Sequence, residues 1–146
     1  MLMLAKLLLT LTVLGYAAVT IKADFNNTHA TNPKWTPHAR FHLVWQVLSY
    51  SGVGLIALYL IWIDGPNPME RLYLAAAISA AIYGAFFAAV LTRPMFGGAL
   101  YDDNGYQPFQ PPMGPKTWRW DVNVTAFTVL TAIWGVGLVA ALAAAA

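Results

Sequence analysis

No cysteine occurs among the 146 residues. That excludes a disulfide, a thiolate metal centre and a cysteine nucleophile, and it leaves any metal to nitrogen and oxygen ligands. Charge is scarce too: Asp, Glu, Lys and Arg together make up 10% of the chain, against about 25% in a soluble domain. The eight basic residues form no run. No zinc-finger or RNA-binding signature accompanies them, so nucleic acid is excluded as a partner class. What remains is 59% hydrophobic, the composition of a chain whose solvent is a lipid bilayer.

Four apolar segments, 3–21, 41–63, 72–92 and 122–145, are long enough to cross a hydrocarbon core, which takes about 20 residues of helix. They predict an all-α fold: a single multi-pass domain over 1–146, folded as a four-helix transmembrane bundle. Lys6 ahead of the run Leu7 to Ile21 has the look of a signal peptide, but no small-x-small cleavage site follows, so a retained helix is expected. Thr36 and Pro37 supply a cap and a first helical residue for helix two. Asp64-Gly-Pro-Asn-Pro68 ends that helix and predicts a tight hairpin with helix three.

Small residues recur every four positions on helix three (Ala76, Ala80, Gly84, Ala88) and helix four (Gly137, Ala141, Ala145), spacing that lets helix backbones approach closely in lipid. A stretch rich in Gly, Pro and aromatics runs from Arg93 to Trp120. It is too long for a plain connection and predicts a folded cap or arm. The loops after helices one and three must share a membrane face, so two long polar loops are expected on one side. That side carries Lys22, Lys34, Arg40, Arg93, Lys116 and Arg119, leaving Lys6 and Arg71 for the other. The positive-inside rule then places the long loops in the cytoplasm. Asp102-Asp-Asn-Gly105 lacks the alternating ligands of a calcium loop and reads as a turn.

All three histidines fall between positions 29 and 42. On a helix starting at Pro37, His38 and His42 are one turn apart and point the same way, with Trp45, Gln46 and Ser49 continuing the stripe. With His29 and Asp24 folded over from the preceding loop, the set His29, His38, His42 and Asp24 would offer three nitrogens and a carboxylate. Those ligands suit Zn, Fe, Mn or Cu. Arg40, Trp45, Gln46 and Asp121 are the expected supporting or ligand-binding residues around it. The competing reading is an interface loop whose imidazoles satisfy backbone carbonyls. An aromatic pocket below the histidines, with Trp45, Tyr50 and Phe86, is a further expectation.

The string Asn32-Pro-Lys-Trp-Thr-Pro-His-Ala-Arg-Phe-His42, with Thr28 and His29 just upstream, resembles the NPxWxPHAxFH-type loop of a family of small four-helix integral membrane proteins whose function is not established. The resemblance implies a defined loop type leading straight into helix two and brings no activity with it.

Two functional classes follow. In the first, the histidine and carboxylate residues bind or act on a small hydrophobic molecule at the membrane boundary, with or without a metal. In the second, the chain is a non-catalytic accessory subunit of a larger membrane complex or a homo-oligomer, and its small-residue stripes contact partner helices. Whether it is an enzyme stays open between them. A channel or transporter is disfavoured, because no helix carries a charge near its middle.

Overall fold

A computed structural model describes residues 1–146 and contains four long α-helices: α1 (Leu2–Asp24), α2 (Pro37–Trp62), α3 (Pro68–Thr92) and α4 (Val122–Ala145), with a short 3-10 turn at Arg93–Phe96. All four are long and apolar enough to cross a membrane, and the chain is a multi-pass integral membrane protein. The shortest, α1, has 23 residues and spans about 35 Å at 1.5 Å per residue, enough for the hydrocarbon core.

The helix ends follow local chemistry. Thr36 Oγ1 accepts the Ala39 N–H at 3.2 Å, and Pro37 occupies the first helical position. Helix α2 therefore begins above its apolar span. At the other end Asn67 takes a left-handed φ of 53°, which Asn tolerates better than most residues. Pro68 then starts α3. Arg71 spans this hairpin, donating to the carbonyls of Tyr59 (3.2 Å) and Ile63 (3.0 Å) at the end of α2.

Helix α1 is the hub. It packs on α2, α3 and α4, and α3 packs on α2 and α4, whereas α2 and α4 do not meet. Apolar surface gains little by leaving lipid for protein, so close approach and interhelical hydrogen bonds must hold such a bundle. Both are present. A Cβ at Gly54 would lie 2.5 Å from the Ala17 Cβ, and one at Gly137 would lie 3.1 Å from the Leu8 Cβ. Tyr83 Oη donates to Thr12 O at 2.7 Å, Trp62 Nε1 to Thr10 Oγ1 at 2.8 Å and Trp134 Nε1 to Ala76 O at 2.9 Å. Trp134 thus pins α4 to α3 inside the bundle. The α3 stripe is divided: Ala76 is buried, while Gly84 and Ala88 face outward, and a Cβ at Gly84 would meet nothing within 4 Å.

The packed core is lopsided. Its buried members Ala5, Leu9 and Val13 of α1, Ala57 and Ile61 of α2, Leu72, Ala75 and Ala76 of α3, and Ala140 and Ala141 of α4 lie toward the end of the bundle that carries the α2–α3 hairpin. The loop end is filled by aromatic rings and then opens. Tyr16 meets Tyr50 and Tyr83 edge-on, Tyr83 meets Phe127, and Phe127 stacks on Phe86 at 3.9 Å between centroids.

The two long loops do share one face, and they are joined. Trp35 Nε1 donates to Asp102 Oδ2 at 3.0 Å, Asn104 Nδ2 to Asn27 O at 3.2 Å, and Lys34 Nζ lies 3.5 Å from Asp103 Oδ2. The 93–121 segment is a folded cap. Phe109 and Trp120 exchange backbone hydrogen bonds at 2.9 and 2.8 Å, closing it just before α4, and residues 102–105 form the expected turn.

Candidate functional site

The site is built from the end of α1 outward. Asn26, two residues past the helix, donates through Nδ2 to Ala23 O at 2.8 Å and Lys22 O at 3.3 Å. These bonds satisfy carbonyls that the helix end leaves free and turn Oδ1 toward the loop. There Oδ1 accepts the Thr28 N–H at 2.8 Å and the Thr28 hydroxyl. With its one proton given to Asn26, Thr28 Oγ1 can only accept from His29 Nδ1, which lies 2.7 Å away. The chain of bonds sets the neutral His29 as its Nδ1–H tautomer and leaves the Nε2 lone pair free.

His29 Nδ1 also lies 3.8 Å from Asp24 Oδ1, and both side chains are largely sheltered. The ring stands edge-on to Trp35 at 5.4 Å between centroids and is flanked by Tyr106, so both loops hold it. The Trp35–Asp102 bond secures this arrangement. The Trp35 N–H, and after it the Asn104 backbone N–H, hold the Asp102 carboxyl below the ordinary carboxylate range, because a hydrogen bond to the charged form favours ionisation.

Beneath this lid is a cavity of about 420 Å³ with walls from all four helices, within the range of small-molecule sites. Asp24, His29, Gln46 and Asn123 provide polar groups at the loop end, and Tyr50, Phe86, Phe127 and Leu130 line the apolar part. A smaller cavity of about 290 Å³ lies between the loops, and His29 and Asn123 belong to its wall as well. His29 and Asn123 thus form a wall common to both spaces.

The four residues expected to form one metal centre are divided. Asp24 and His29 lie at the cavity, while His38 and His42 stand on the exposed surface of α2 with their Nε2 atoms 3.0 Å apart. No group of three or more His, Asp or Glu side chains comes together. The reason is the rotation of α2. Its buried residues are Val47, Gly54, Ala57 and Ile61, and at about 100° per residue His38 lies about 180° and His42 about 140° from Val47. Tight packing of Gly54 on α1 turns the histidine stripe outward.

The supporting residues also part company. Gln46 lines the cavity and an outer groove, whereas Trp45, 59% exposed, lines the groove and not the cavity. Asp121 is the N-cap of α4, its Oδ1 accepting the Val124 N–H at 2.9 Å, and no arginine pairs with it. Arg40 Nε is buried without a hydrogen-bond partner. Of the expected aromatic pocket, Tyr50 and Phe86 line the cavity and Trp45 does not. Sequence reasoning missed Asn123, Phe127 and the tautomer-setting pair Asn26 and Thr28. An Asn followed two residues later by Thr at a helix end is a readable turn signal; nothing local marks Asn123.

No family model, curated protein or solved structure matches this chain.

Proposed function

We propose that this membrane protein binds a small lipophilic molecule bearing a hydroxyl head, alcoholic or phenolic, in the cavity between its four helices. The observation that carries this reading is the make-up of the cavity. Its polar end presents acceptors, the Asp24 carboxylate and the His29 Nε2 lone pair, and its far end presents the stacked Phe86 and Phe127 rings. A hydroxyl donates to such acceptors, and the apolar walls around them strengthen the bond. On this reading His29 Nε2 receives a proton from the head, and proton transfer is the chemistry these residues would support.

Solvent extracts of protein purified in mild detergent, analysed by mass spectrometry, test this. The wild type should carry a hydroxylated lipophile that is missing from Asp24→Asn/His29→Ala and from Ala126→Trp, which fills the cavity. Equal retention in both variants would refute the reading.

A second reading, a subunit of a larger membrane complex, draws on Gly84 and Ala88, which face outward with open space at Gly84. Gly84→Leu should then release partner proteins in a pull-down and leave the extracted lipophile unchanged.

A further inference from the structure

His38 and His42 take no part in the cavity, yet their geometry is specific. They are four residues apart on the first turns of α2, both exposed, with Nε2 atoms at 3.0 Å and rings perpendicular at 4.4 Å between centroids. In the neutral pair one Nε2 carries a proton and the other accepts it. When both nitrogens are bare, two lone pairs stand 3.0 Å apart, a pair of ligands that suits a cation. The helix backbone is fixed there by the Thr36 cap and Pro37, so the points from which the two ligands project are set before an ion arrives. Neither histidine belongs to an ion pair.

We propose that His38 and His42 form a two-imidazole chelate for a divalent ion that prefers tetragonal geometry, copper(II) above all. The separation of the nitrogens carries the choice of ion. With metal–nitrogen bonds of about 2.05 Å, a bite of 3.0 Å subtends about 94° at the metal. That angle is the cis angle of a square-planar or octahedral ion; a tetrahedral ion would need the nitrogens about 3.3 Å apart. Two protein ligands leave the other positions to water or to a molecule from outside. His42 also forms part of the wall of an outer groove of about 820 Å³, with Trp35, Trp45 and Phe96, so an apolar molecule in that groove has access to the ion. The chelate is independent of the cavity and of the function proposed for it.

Copper(II) titration of the untagged full chain in detergent is the test, read by electron paramagnetic resonance and tryptophan fluorescence. One equivalent should bind with a two-nitrogen signature and quench Trp45, whose ring lies 5.9 Å from that of His42. His38→Ala and His42→Ala should each weaken binding at least tenfold, and His29→Ala should leave it unchanged. Nickel(II) should bind more tightly than zinc(II). Both histidines are exposed, so the variants should keep wild-type helicity and elution volume. Binding that survives either alanine variant, a one-nitrogen spectrum, or zinc(II) bound more tightly than nickel(II) would overturn the proposal.

Discussion

Trp35 and Asp102, 67 residues apart in sequence, meet through one hydrogen bond of 3.0 Å, from the indole N–H to Oδ2. The bond ties the loop before α2 to the cap before α4, and His29 rests against the same indole. It makes the lid over the cavity a single unit.

The lid should therefore loosen in acid. Asp102 has a lower pKa in the folded lid than its ordinary value of 3.8, so its contribution to lid closure is fully present above that value and lost as pH falls through the lower, folded one. Hydrogen exchange of residues 99–107 should speed up over that range in the wild type. In Trp35→Phe exchange should be fast at neutral pH already, with little further acid response. An identical acid response in the two proteins would show that another group controls the lid.

The tautomer of His29 depends on Thr28, whose hydroxyl accepts from Nδ1. Thr28→Val removes that acceptor and lets the ring place its proton on Nε2. Binding of a hydroxyl-bearing lipophile should weaken by about 1 kcal/mol, about fivefold in Kd, the worth of one neutral hydrogen bond. Thr28→Ser should retain wild-type affinity, and a calorimetric comparison of the three proteins decides it.

Gly54 and Gly84 separate packing from open surface. Alanine at 54 drives its Cβ into Ala17, whereas alanine at 84 meets nothing. Gly54→Ala should cost about 1–3 kcal/mol, as overpacking does, and Gly84→Ala should stay within about 0.5 kcal/mol of wild type. Thermal unfolding in one detergent, run side by side, gives the difference.

Asp121 acts as a cap, not as a charge partner. Asp121→Ala should lower stability by about 0.5–2 kcal/mol through the lost bond to the Val124 N–H. Asp121→Asn or Asp121→Ser should restore most of it. A variant that kept only the negative charge, Asp121→Glu, should do less well if capping is the role, and denaturation midpoints in detergent would show the order.

Hydropathy and local turn chemistry already determined much of this protein. Four spans, the Thr36–Pro37 start of α2, the Asp64–Pro68 hairpin and the turn at 102–105 all follow from residues close together in the chain, because apolar length and capping are short-range properties. The placement of both long loops on one face follows from counting helices. Asp121 was readable as a cap too, since it directly precedes an apolar run, but its charge suggested a pairing.

Tertiary packing decided the rest. Helical spacing made His38 and His42 neighbours, yet which way they point depends on the rotation of α2, and that is set by Gly54 against Ala17 of another helix. The same rotation separates them from Asp24 and His29. The cavity exists because small residues close the bundle at one end while Tyr16, Phe86 and Phe127 prop it at the other. Contacts between distant segments carry no local pattern, so the joining of Trp35 to Asp102, and with it the lid over the cavity, belongs to the folded chain alone.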